Sequence, residues 1–202
     1  MTRRFRAALA GAALAALAAI ATAQPRPGLE GPALVAALRE GGFVLYLRHA
    51  STDFSKNDVG MTSFADCASQ RNLTDGGRAE ARAIGAALAR LRIPLGPVLA
   101  SPYCRTMESA RLVFGSATVS DAARGDPAES TDPQRYAGLR TLLSTPVASG
   151  SNLAIASHGN PFYALAGPPR LAEGEMAVIE PLGSGRFRIV ARVTKDGWAD
   201  LH

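Results

Sequence analysis

Three short apolar runs along the chain stop abruptly at charged or titratable residues. Phe43–Leu47 (FVLYL) is apolar at every position, so both of its faces must be buried. That pattern predicts a central strand of a parallel sheet. Val98–Ala100 (VLA) and Asn152–Ser157 (NLAIAS) read in the same way. Between the runs the apolar period becomes helical. Ala33 to Arg39 predicts a short helix ended by Gly41-Gly42. Thr74 is a natural cap and Asp75 suits the positive end of a helix dipole. Beyond them Ala81, Ile84, Leu88 and Leu91 form one apolar stripe, closed by Pro94 and Gly96. A further helix is expected from about Tyr103 to Phe114, stopped by Gly115, and another from Tyr136 to Leu143. Met176 to Glu180 and Phe187 to Val193 alternate as two strands of a hairpin, turning through Gly183-Ser184-Gly185. Residues 51–71 read as a long polar loop, and 116–134 as an acidic, turn-rich stretch with little pattern. Strands alternating with helices indicate an α/β fold class, a three-layer α/β/α sandwich around a largely parallel sheet. Such sheets place ligands at the carboxyl ends of their strands.

The first 23 residues follow a different logic. Arg3, Arg4 and Arg6 precede an alanine- and leucine-rich run from Ala7 to Ala21, and Ala21-Thr22-Ala23 supplies small residues for cleavage. The run is shorter than the ~20 apolar residues that span a bilayer. It reads as a signal peptide cut after Ala23, which leaves residues 24–202 as a single domain, exported to the periplasm or secreted, with no stable membrane insertion. Its removal takes three arginines and no acid from a formal charge of +5. The basic character thus lies partly in the leader. No basic run is interleaved with aromatics, so nucleic acid is not an expected partner. The two cysteines, Cys67 and Cys104, are expected to pair as a disulfide in an oxidising compartment.

The ends of the three buried strands carry the chemistry. The first ends in Arg48-His49, the second leads through Ser101 to Arg105, and the third ends in His158-Gly159-Asn160. Two of the protein's three histidines sit there, and the third, His202, is the last residue. Arginine offers a planar fork of donors that matches a phosphoryl group. A neutral imidazole can attack phosphorus, and a second, protonated imidazole can stabilise the equatorial oxygens. Together these residues predict an anion pocket with a nucleophile inside it.

The segments LRHAS, LTDGGRAEARAIGAAL, VLASPYCRTMESARLVFG and LAIASHGN, in that order, resemble the histidine phosphatase superfamily, the phosphoglycerate-mutase-like proteins, in an exported branch-1-like form. The resemblance covers most of residues 43–160. It implies His49 as the phosphorylated nucleophile, Arg48, Arg105 and His158 as the rest of the phosphate pocket, and no metal or organic cofactor. Asn160 is expected to help bind substrate. Ala50 stands where the family usually has glycine. The proton donor to the leaving group has no recognisable setting. Glu175 is the preferred candidate, and Asp53 reads as a solvated surface acid. The expected function is an exported phosphomonoesterase acting on a phosphorylated small molecule or envelope glycan. Two alternatives stay open: a weak or inactive relative that binds phosphorylated ligands, and a two-histidine phosphodiesterase.

Overall fold

A computed structural model describes residues 28–124, 132 and 134–202. The expected leader, and Asp126 and Glu129 of the acidic stretch 116–134, lie outside the described residues. In chain order the elements are α1 (Gly31–Glu40), β1 (Val44–Arg48), α2 (Asp75–Arg90), β2 (Leu95–Ala100), α3 (Cys104–Phe114), β3 (Thr118–Val119), α4 (Ala137–Ser144), β4 (Asn152–Ser157), α5 (Gly159–Ala166), β5 (Met176–Pro181) and β6 (Phe187–Val193). Single 3-10 turns occupy Cys67–Ser69 and Asp121–Ala123.

The strands form one six-stranded sheet in the order β3-β2-β4-β1-β5-β6. β3, β2, β4 and β1 run parallel, whereas β5 pairs antiparallel with both β1 and β6. The largely parallel α/β/α expectation holds, with an antiparallel hairpin on one side.

The alternation of strand side chains builds two cores. Leu45 and Leu47 of β1, Ala154 and Ala156 of β4, and Met176 and Val178 of β5 face a core that includes Leu34, Leu38, Ile84, Leu88 and Val113 from α1, α2 and α3. Val44, Tyr46, Ile155, Ala177 and Ile179 face the opposite core with Leu139 and Leu143 of α4 and Phe162 of α5. The uniformly apolar β1 is therefore apolar because both faces are covered. Truncating one such leucine to alanine in a close-packed core typically costs ~2–5 kcal/mol.

Two elements were not legible as elements. β3 is a two-residue, exposed edge strand, too short to carry a period. α5 follows directly on β4 and holds Pro161 in its first turn, where proline's missing N–H leaves no helical bond unmade.

The adjacency of β2, β4 and β1 brings their carboxyl ends side by side. Arg48 is in register with Ser157, and Ala100 with Ala156. The sheet thus delivers His49, Ser101 and His158 to one rim. α2 closes against this rim. Thr74 caps it by accepting from the Gly77 amide at 2.9 Å, and the Thr74 amide donates to the Ser51 carbonyl. A Cβ on Gly77 would lie 2.1 Å from that carbonyl oxygen, so only glycine lets the helix start approach the loop that follows His49. No helix among the described residues is long and apolar enough to cross a membrane.

Candidate active site

His49 follows β1 and is 2 % exposed. Its Nδ1 lies 3.0 Å from the Ala50 carbonyl oxygen. A carbonyl only accepts, so Nδ1 must carry the proton, and Nε2 of the neutral ring keeps its lone pair. Burial pushes the His49 pKa down to about 3. The bond to Ala50 opposes that shift, while Arg105, Arg48 and Arg71 reinforce it. The ring is neutral at physiological pH and its tautomer is fixed. Ala50 does not adopt a positive φ, so alanine fits the position where glycine was the usual family residue. Its amide donates to Ser109 Oγ at 3.0 Å, and Ser109 Oγ donates to the Arg105 carbonyl at 2.7 Å. The loop after His49 and α3 are therefore joined through one hydroxyl.

His158 caps α5 and stands with its ring centroid 5.5 Å from that of His49. Its Nε2 meets Ser101 Oγ at 2.8 Å, and its carbonyl accepts from the Tyr46 hydroxyl at 2.8 Å. Burial, then Arg105 and His49, hold its pKa well below the usual histidine value. Burial and the neighbouring cations thus favour the neutral form of this second imidazole.

Arg48 donates through Nη1 to the Leu171 carbonyl at 2.6 Å. Arg105 donates through Nη1 to Asp58 at 3.0 Å and lies over the Tyr103 ring at 4.4 Å. Burial lowers both guanidinium pKa values, and the neighbouring Arg71 lowers them further. Arg48 Nε and Arg105 Nε are buried and have no hydrogen-bond partner among the described residues. An unpaired buried donor costs ~1–3 kcal/mol, more if charged.

Three residues of this cluster were missed in the sequence. Arg71 donates to Thr52 Oγ1 at 2.6 Å and lies 3.4 Å from Glu173 Oε1. Glu173 accepts from the Thr52 hydroxyl at 2.7 Å and the Thr52 amide at 3.1 Å. Asp58 holds Arg105 and also accepts from the Arg71 amide at 2.8 Å. The chance to find Asp58 and Arg71 lay in the polar loop 51–71, whose length suits a functional or mobile segment; Glu173 carried no such signal.

Glu175, the expected proton donor, is engaged elsewhere. Arg192 donates to its two oxygens at 2.7 and 3.0 Å, and the Ala172 amide donates to Oε2 at 2.7 Å. Both of its oxygens are thus occupied by Arg192 and the Ala172 amide rather than turned to His49. Asn160 is exposed and accepts from Arg170 at 2.6 Å, so the structure does not bring it into the buried cluster. Asp53 is partly exposed and accepts from the Ser55 amide and hydroxyl, a local turn.

Cys67 and Cys104 form a disulfide with Cα atoms 5.7 Å apart. It ties the loop after His49 to the first residue of α3. The Gln70 side chain, 3 % exposed, accepts from the Cys104 amide at 2.9 Å and shares that role. Reduction should lower unfolding free energy by up to ~3–4 kcal/mol in the chain-entropy model. It should also weaken inorganic phosphate binding, because Asp58 and Arg71 lie on the released loop. Urea midpoints and phosphate calorimetry with and without reductant check this. Identical values in both states would show that Gln70 alone holds the loop.

The carboxyl rim of this largely parallel α/β sheet thus gathers two buried histidines with Arg48 and, from the start of α3, Arg105. Residues 44–123 match the model of the histidine phosphatase superfamily (branch 1). The fold is also that of the protein histidine phosphatase SixA complexed with tungstate. That match has a TM-score of 0.55 and 22% identity over 76% of this chain and 97% of that one. A putative phosphohistidine phosphatase SixA from Agrobacterium tumefaciens matches with TM-score 0.52 and 18% identity, over 76% of this chain and 98% of that one. A mutant phosphoserine phosphatase from Entamoeba histolytica in complex with phosphoserine matches with TM-score 0.53 and 11% identity, over 77% and 98%. No curated protein sequence matches the chain. Over residues 44–123 the chain is thus similar to branch 1 of the histidine phosphatase superfamily, and its fold is that of the structures just named.

Proposed function

We propose that this protein is an exported phosphomonoesterase that works through a phosphohistidine on His49. The observation that carries the reading is a neutral imidazole with its proton locked on Nδ1, flanked by two arginines with unpartnered buried Nε donors. The Nε2 lone pair attacks phosphorus, the Nε2–P bond forms, and the P–O bond to the leaving group breaks with its electron pair going to oxygen. Water then attacks phosphorus, the N–P bond breaks with its pair returning to Nε2, and the proton released by water balances the one taken up by the leaving oxygen. Arg48 and Arg105 hold the phosphoryl oxygens, where pre-aimed donors act most strongly as charge redistributes. His158 supplies a further N–H.

Export is supported by the leader pattern of residues 1–23 and by the Cys67–Cys104 disulfide, which persists in oxidising compartments. The related folds named above are described for phosphohistidine or hold phosphoserine, and both ligands present a terminal phosphoryl group to a pocket of this kind. An exported member would meet phosphorylated small molecules or envelope glycans.

The test is turnover of p-nitrophenyl phosphate by the mature protein in EDTA, with acid-labile phosphate trapped on the protein during turnover. Turnover with a trapped phosphoenzyme is expected. Turnover without one would favour the two-histidine acid–base reading, and no turnover from pH 4 to 8 would favour a binding protein.

A further inference from the structure

The proposed reaction places a positive charge on a ring that has no room for one. When Nε2 bonds to phosphorus while Nδ1 keeps its proton, the imidazole becomes cationic. His49 is almost wholly buried, and Arg48, Arg71 and Arg105 all oppose a charge on it. Some group must compensate.

Glu173 is the one carboxylate within 4 Å of His49 among the described residues, with Oε1 3.8 Å from Nδ1. The same oxygen lies 3.6 Å from Arg48 Nη2 and 3.4 Å from Arg71 Nη1. Thr52 fixes the carboxylate with both its hydroxyl and its amide. The backbone puts it there deliberately close. Gly174, at φ 76°, sends its amide back to the carbonyls of His49 at 2.9 Å and Arg48 at 3.2 Å. Glu173 thus arrives on the Nδ1 side of the ring, opposite the attacking nitrogen.

We infer that Glu173 is the positioning residue whose negative charge, held by Thr52 beside His49 Nδ1, stabilises the imidazolium character of the phosphorylated nucleophile. This inference rests on the phosphohistidine reading. It assigns Glu173 no proton transfer, because Nδ1 keeps its proton on the Ala50 carbonyl throughout. A carboxylate inside a phosphate pocket is otherwise unfavourable, since it repels a dianionic substrate. The two effects have opposite signs, and that makes the role measurable.

Glu173→Gln keeps the shape and one acceptor oxygen for Thr52, but loses the charge. The kcat for p-nitrophenyl phosphate should fall about 10²-fold, the size typical of removing one pre-aimed electrostatic partner. The Kd of inorganic phosphate, by calorimetry, should stay the same or tighten. A role limited to holding Arg48 and Arg71 in place predicts the opposite: phosphate binding weakens along with kcat. Glu173→Asp, which restores the charge one methylene further away, should recover part of the rate. Should Glu173→Gln fail to fold, Thr52→Val carries the test, with a lower kcat and unchanged phosphate affinity expected. Wild-type turnover that depends on His49, combined with an unchanged kcat in the Glu173 variants, overturns this inference alone. Absence of wild-type turnover overturns the phosphatase reading and this inference together.

Discussion

Replacing His49 with alanine should abolish hydrolysis of p-nitrophenyl phosphate, by at least ~10⁴-fold, the scale seen when a covalent nucleophile is removed. No phosphoenzyme should be trapped. Binding of inorganic phosphate should persist, because Arg48, Arg105 and His158 are anchored independently of the His49 ring. Arg48 is held by the Leu171 carbonyl, Arg105 by Asp58 and His158 by Ser101. The split is the informative part. An alanine variant that neither turns over nor binds phosphate would mean that His49 organises the pocket rather than reacting in it. One that still turns over at a tenth of the wild-type rate would remove His49 from the chemistry.

The second large effect is on stability in acid. Both buried histidines are neutral in the folded protein, His49 with a pKa of about 3 and His158 well below its usual value. An unfolded histidine titrates near 6.5. Between those limits the unfolded chain binds protons that the folded chain refuses, so stability rises with pH across this window. It is lost progressively as pH falls from about 6.5 towards 3. A displacement of that size for His49 alone corresponds to about 4–5 kcal/mol, at ~1.4 kcal/mol per pH unit. Urea midpoints at pH 7, 5.5 and 4.5 should fall steeply. The slope should flatten when His49 is replaced by asparagine and His158 by glutamine. An equally steep fall in that double variant would assign the acid sensitivity to carboxylates instead. Activity should follow the folded fraction, because the nucleophile itself remains unprotonated until the fold is gone.

How much of this could be read from the sequence depends on where each residue lies. Arg48, His49, Arg105 and His158 were legible because each ends or follows a buried strand, and parallel sheets align such ends on one rim. The cap at Thr74 and the pairing of Cys67 with Cys104 were legible from local chemistry and compartment. Asp58, Arg71 and Glu173 were not. They sit in irregular segments, and their positions follow from tertiary docking rather than from any period. Glu175, which was singled out, and Glu173, which was not, show the difficulty most clearly. The two acids are separated by one glycine, yet the turn at Gly174 sends one to Thr52 and His49 and the other to Arg192. No propensity distinguishes them. β3 and α5 escaped for related reasons, one too short for a pattern and the other continuous with the strand before it.

The placement of β1 has a consequence for how the protein comes into being. Its neighbours on either side, β4 and β5, are more than a hundred residues later in the chain, with Val44 opposite Leu153 and Ile179. Contacts so distant in sequence close late. During synthesis, the largely apolar strand that precedes His49 must wait, unpaired, until nearly the whole domain has emerged. During that interval a sticky segment is exposed with nothing to cover it. A nascent or truncated chain therefore carries Arg48 and His49 without the residues that surround them in the fold, and the cluster is assembled only once the last third of the domain has been made.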